Sequence, residues 1–167
     1  MSEITASTGL TAGSSWGRGF YRPLPIAQPA VGLPAAFASS DGEFLRPVAL
    51  TCVLVTSAVV ANRQPRFQVT DQDGNLFYSI PLGAAVVAGA SITLQWQYGG
   101  GSGFSGADGS IVGSLPNIFI PAGFKLAVNA VNLDVGDQFK NVHCWAEAYP
   151  WGPAGYPTSP ARIDEGS

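Results

Sequence analysis

The chain has 167 residues, 46% of them hydrophobic, and its 8 Lys and Arg against 11 Asp and Glu give a formal charge of −3. That length suits one domain with a substantial core, and the acidic balance lacks the clustered cations that nucleic-acid binding requires. No apolar run reaches the roughly 18 residues of a membrane span, and no charged-then-apolar leader opens the chain. Neither a nucleic acid nor a membrane is therefore an expected partner. Charged residues make up only 11% of the chain, less than half the usual quarter. Such a surface defends poorly against association. Either partners cover much of it in the working state, the favoured reading, or Ser, Thr, Gln and Asn coat it.

Residues 1–45 form a segment of their own, with six Gly and four Pro and no sustained period of 2 or 3.6. Pro23, Pro25, Pro29 and Pro34 remove backbone donors and favour extended chain. The segment nonetheless holds large apolar groups. Trp16, Phe20, Tyr21 and Phe37 are its candidate partner-binding anchors, since aromatic side chains dominate contact energetics. Two readings stand level: an arm that reaches a partner, or an arm that wraps its own domain. In the first, the rest of the chain folds without residues 1–40.

Residues 46–150 read as a β domain. Leu50, Cys52 and Leu54 alternate in a strand expected to run to about Val60. In Ala61–Leu82, Phe67 and Val69 alternate with Arg66, Gln68 and Thr70, and Leu76, Tyr78 and Ile80 alternate with Phe77 and Ser79. The Asp73-Gly74 pair between those runs is a strong hairpin signal. Ile92, Leu94, Trp96 and Tyr98 share one face of the next strand, and residues 99–110 read as a flexible glycine-rich loop. Short strands are expected at 111–115 and 117–120, then one from Phe124 carrying Leu126 and Val128. In the last, Val142, Cys144, Ala146 and Ala148 face inward and His143, Trp145, Glu147 and Tyr149 outward. Residues 151–167 are a Pro/Gly-rich C-terminal tail. The expected fold is all-β: a jelly-roll-like antiparallel β-sandwich of about seven to eight strands with an extended N-terminal arm and a short tail.

Chemical motifs are weak. Gly101–Gly106 matches GxGxxG, but no helix can follow it to meet a pyrophosphate. Asp71-Gln-Asp-Gly-Asn75 resembles a calcium loop, yet the twelfth position is Leu82 and turn chemistry explains the same residues. His143 is the sole histidine and has no metal-ligating companion. Cys52 and Cys144 read as small core hydrophobes, with a disulfide the less favoured alternative. No HExxH or CxxC occurs. No catalytic residue, cofactor or metal is expected, and the chain reads as a non-enzyme.

The run Leu50–Pro150 resembles structural proteins of tailed bacteriophages. The likeness rests on an ordered series: Ala61-Asn62-Arg63-Gln64-Pro65-Arg66, Val69-x-Asp71, the Asp73-Gly74-Asn75 turn and Ser91-Ile-Thr-Leu-Gln-Trp96. It continues through Leu115-Pro116, Pro121-Ala122-Gly123, Asn132-Leu133-Asp134-x-Gly136-Asp137-Gln138 and Tyr149-Pro150. The resemblance implies a virion component made in the host cytoplasm. The leading form is a capsid decoration (cement) or minor capsid protein on the capsid surface, as a trimer or other homo-oligomer partnered by the major capsid protein. A collar, tail or fibre-associated protein is the alternative. From a different class, a carbohydrate-binding β-sandwich would use Trp145, Tyr149, Trp151 and Tyr156 as stacking surfaces.

Overall fold

The first strand, β1 (Phe20–Leu24), lies within the segment read as an arm. The protein was analysed as a computed structural model that describes residues 20–39, 43–100, 103–105 and 109–150. β1 pairs antiparallel with the C-terminal end of the last strand, placing Phe20 opposite Ala148. After a proline-containing connection, β2 (Ala35–Ala38) joins a different sheet. Leu24 and Ala35 are buried in the core. The described part of the arm thus wraps its own domain, and the boundary expected near residue 45 is not where the sheets begin. Phe20 to Leu24 can do this although it contains Pro23, because an edge strand tolerates a missing donor.

β3 (Glu43–Val55) is long and changes phase along its length: Leu45 and Pro47 face inward, then Leu50, Cys52 and Leu54. The change falls at Val48, an extra residue that shifts the register against the last strand and acts as a β-bulge. β4 (Gln64–Thr70) and β5 (Leu76–Pro81) form the expected hairpin. In its turn the Asp71 carboxylate accepts hydrogen bonds from the Asn75 backbone N–H at 2.8 Å and the Asn75 amide at 2.9 Å. Gly74 sits at φ +87°, a conformation glycine reaches without steric cost. These contacts hold the Asp71 carboxyl below its usual pKa.

β6 (Ser91–Tyr98) is followed by β7 (Gly103–Ser105), β8 (Ser110–Leu115), β9 (Lys125–Val131) and β10 (Gln138–Pro150). One sheet runs β1-β10-β3-β6-β8-β7, the other β2-β9-β4-β5. All neighbours are antiparallel except β6 and β8, which run parallel. The inner faces close on one core that includes Leu54, Phe67, Leu94, Trp96, Val128 and Phe139, all fully buried. The result is an all-β two-sheet sandwich with no helix among the described residues, and so none long and apolar enough to cross a membrane.

Several expectations need correction. Ten strands are present among the described residues rather than seven or eight, because β1, β2 and β7 fall in segments read as arm and loop. Gly103–Ser105 pairs with β8 despite its glycine content. Residues 117–120 make only an isolated bridge, Leu45 to Ile120, since Pro116 and Pro121 flank them and interrupt the donor ladder. Tyr78, expected to be buried by its alternation, is exposed because β5 is the outermost strand of its sheet, and Leu76 on the same face is exposed with it. Tyr98 is also exposed, at the end of β6.

Deleting residues 1–40 removes β1 and β2 with Leu24 and Ala35, and should cost at least about 3 kcal/mol from the lost apolar burial and strand pairing. Urea denaturation of the 41–167 fragment checks this, and a midpoint equal to that of the full chain would contradict it.

Candidate functional site

A buried ion pair organises one end of the sandwich. Arg63 and Asp137 have fully buried side chains. The guanidinium donates from Nε to Asp137 Oδ2 at 2.9 Å and from Nη2 to Oδ1 at 3.1 Å. Its remaining hydrogens reach the Val59 and Ala61 carbonyls at 2.7 and 2.6 Å and Ser57 Oγ at 2.9 Å. All five N–H donors are therefore used. Asp137 also accepts from the backbone N–H groups of Ser57 and Asp134, each at 2.7 Å. Burial alone would raise the Asp137 carboxyl. The Arg63 guanidinium and those two N–H groups outweigh it and hold the pKa below its usual value.

This network explains why β3 stops at Val55 rather than at Val60. Ser57 turns its N–H to Asp137, and Arg63 draws the carbonyls of Val59 and Ala61 inward, so the ladder cannot continue. Asp134, in the turn between β9 and β10, accepts from Ser57 Oγ at 2.9 Å and the Gly136 N–H at 3.0 Å. Gly32, at φ +78°, donates its N–H to the Asp137 carbonyl at 2.7 Å, and a Cβ there would lie 2.9 Å from Val135 Cα. The loops β1–β2, β3–β4 and β9–β10 are thereby fastened together. The β5–β6 loop joins them through Thr56, whose Oγ1 donates to the Val87 carbonyl at 2.7 Å.

The tips of these loops are aliphatic and open to solvent. Val60 is 94% exposed and Val135 84%, and Val31, Leu33, Val59 and Val87 are each more than half exposed. Residues 28–34, 57–62, 83–90 and 132–137 contain no lysine or arginine, and their two acids are those of the network. The end is thus a preformed, largely apolar surface, with the Asp134 carboxylate as the charged group that stays partly exposed.

A second feature lies on the outer face of the six-stranded sheet. Trp145, Ala49 and Gln97 sit side by side across β10, β3 and β6, and His143, Thr51 and Gln95 form the next row. Because the middle positions are small, a groove of about 320 Å³ opens between the Trp145/His143 wall and the Gln95/Gln97 wall. Beside it Arg46 is tied to Glu147 and lies 5.1 Å from the centre of the Tyr98 ring. Tyr149 packs edge-on against Phe119, centroids 5.3 Å apart.

The aromatic anchors expected in the arm do not converge. Trp16 lies outside the described residues, as do Trp151 and Tyr156. Phe20 and Tyr21 are exposed on β1, whereas Phe37 is on β2 of the other sheet, packed against the core. Cys52 and Cys144 are both free and buried, and burial pushes each thiol up to about 12, so neither is a ready nucleophile. Among the described residues no three His, Cys, Asp or Glu are grouped to hold a metal ion. Comparison with protein-family models and with curated proteins found no match.

Replacing Arg63 by Met leaves a buried carboxylate without its partner and should cost about 3–5 kcal/mol, whereas Arg63→Met with Asp137→Leu should recover much of that loss. The folded Asp137 carboxyl titrates below its unfolded value of about 3.9. Its contribution is therefore complete above that value and is lost as pH falls through the depressed folded value. Acid denaturation should show a shallower pH dependence for Asp137→Asn than for the wild type.

Proposed function

We propose that this chain is a non-enzymatic structural component of a tailed-bacteriophage virion, a capsid decoration or minor capsid protein that binds the assembled coat. The observation that carries the reading is the largely apolar, aliphatic end bearing Val60 and Val135. An apolar surface held rigid by a buried ion pair has little ordering left to lose on association. Contiguous exposed apolar surface of this kind marks a contact site. The sparse charge of the whole chain supports the same reading. The resemblance of residues 50–150 to phage virion proteins narrows the class of partner.

The mechanism is additive contact. Each copy binds the assembled lattice and not the free coat subunit, so it stabilises the shell by mass action. A trimer suits a lattice with local three-fold positions. Phe20 and Tyr21, on β1, would serve contacts between copies or with a second coat subunit, together with Trp16.

Val60→Asp combined with Val135→Asp places charge on the aliphatic end while leaving the core untouched, so the melting temperature should stay within a few degrees of wild type. Co-sedimentation with shells assembled from the coat protein of the same genome should fall by about tenfold or more. Undiminished shell binding by the folded variant would overturn the aliphatic end as the contact surface. Binding to tails and not to shells would move the protein to the collar or tail.

A further inference from the structure

The groove on the outer face of the six-stranded sheet has no place in the contact just described. It lies on a flat face, whereas the aliphatic tips lie at the end beyond β10's Gln138. Its lining is chemically selective. Trp145 is 50% exposed, an unusual setting for the largest apolar side chain. Around it stand two amides, one hydroxyl and one imidazole, those of Gln95, Gln97, Thr51 and His143. None of these side chains makes a hydrogen bond with another described residue. Among the described residues no lysine, arginine, aspartate or glutamate lines the groove, and the neighbouring Arg46 is neutralised by Glu147.

Each class of ligand can be weighed against this inventory. A purely apolar ligand would cover the amides and hydroxyl and leave them without partners, which is costly. A phosphate, carboxylate or cation would find no counter-charge. A flat partner with one apolar face and a rim of neutral donors and acceptors matches the lining group by group, with the indole as platform. β10 and β6 are two strand spacings apart, about 10 Å, which admits one ring between the walls. Such sites combine an apolar floor with a few placed polar groups that fix orientation.

We infer that the groove between Trp145 and Gln97 is a carbohydrate-binding site for a neutral pyranose, most simply one ring or two of a longer glycan. The ring's C–H face stacks on the Trp145 indole. Its hydroxyls exchange hydrogen bonds with Gln95, Gln97, Thr51 and His143, whose side chains can serve as both donor and acceptor. Ala49 is the floor, and its small size is what leaves room for the ring. An exposed aromatic of this kind gives up little conformational freedom on binding, which suits a shallow, weak, repeated site. Copies arrayed on a particle would multiply that weak contact by avidity.

The test uses the full chain on an array of defined neutral and sialylated oligosaccharides, followed by titration of any neutral hit against intrinsic tryptophan fluorescence. Binding to neutral sugars is expected. Trp145→Ala should lower the affinity about tenfold or more and Gln97→Ala by less, with Trp145→Phe retaining part of it. Ala49→Leu fills the floor and should abolish binding while Trp145 remains. Each variant changes a solvent-facing position, and an unchanged melting curve confirms its fold. Absence of any retained sugar, retention of sialylated sugars alone, or a neutral hit indifferent to both Trp145→Ala and Ala49→Leu would each overturn the site. Shell co-sedimentation by Trp145→Ala should equal that of the wild type, which separates this site from the coat contact.

Discussion

The buried pairing of Arg63 with Asp137 is the constraint from which the geometry of one whole end of the sandwich follows. The guanidinium and carboxylate saturate each other and the surrounding backbone. Taking two charges out of water is expensive, and an apolar pair of similar volume often does as well in bare stability. What the ion pair supplies is position. It fixes where β3 ends, where β4 begins, how tightly the β9–β10 turn closes and, through Gly32, where the β1–β2 connection lies. Four loops that could have wandered independently become one surface.

The same economy of charge runs through the rest of the molecule. Three arginines are engaged with carboxylates: Arg22 with Glu43, Arg46 with Glu147 and Arg63 with Asp137. In a chain with 8 basic residues, that leaves long stretches of surface with no strong field. Association with such surfaces is governed by shape, apolar contact and neutral hydrogen bonds rather than by electrostatic steering. The two candidate surfaces divide along that line: the loop end offers aliphatic contact, and the sheet face offers an indole among amides.

Much of the sandwich was legible in the sequence because alternation reports burial directly. Phe67 with Val69, Leu94 with Trp96, and the series from Val142 to Ala148 are buried as their period of two implies. The Asp-Gly turn fell where its chemistry requires. Period two says which residues share a face but not whether another sheet lies above that face, so Tyr78 on an outermost strand read as core. β1, β2 and β7 were illegible for a different reason: Pro23 lies within β1, Pro34 precedes the four-residue β2 and Gly103 opens the three-residue β7, so local strand signal is weak and pairing with β10, β9 and β8 makes them strands. The Arg63–Asp137 pair was hidden because its partners stand 74 positions apart. Its one trace was an arginine that closes the uncharged, mostly apolar run of residues 47–62. The groove was half legible. Trp145 and His143 were placed outward, but Ala49, Gln95 and Gln97 could be joined to them only by the register of three strands.

The pairing of Phe20 with Ala148 has a spatial consequence. β1 enters the fold beside the point where β10 leaves it, and β10 spans the sheet from the Arg63–Asp137 end to the far one, where Pro150 meets Glu43. Both attachment points of the terminal segments are therefore neighbours, and both face away from the aliphatic tips. The molecule has a head and a foot. Chain attached directly before Phe20 or directly after Pro150 would start from the head, on the opposite side from the foot, and an order running Asn75 to Pro150, a short linker, then Phe20 to Gly74 would keep every described strand pairing.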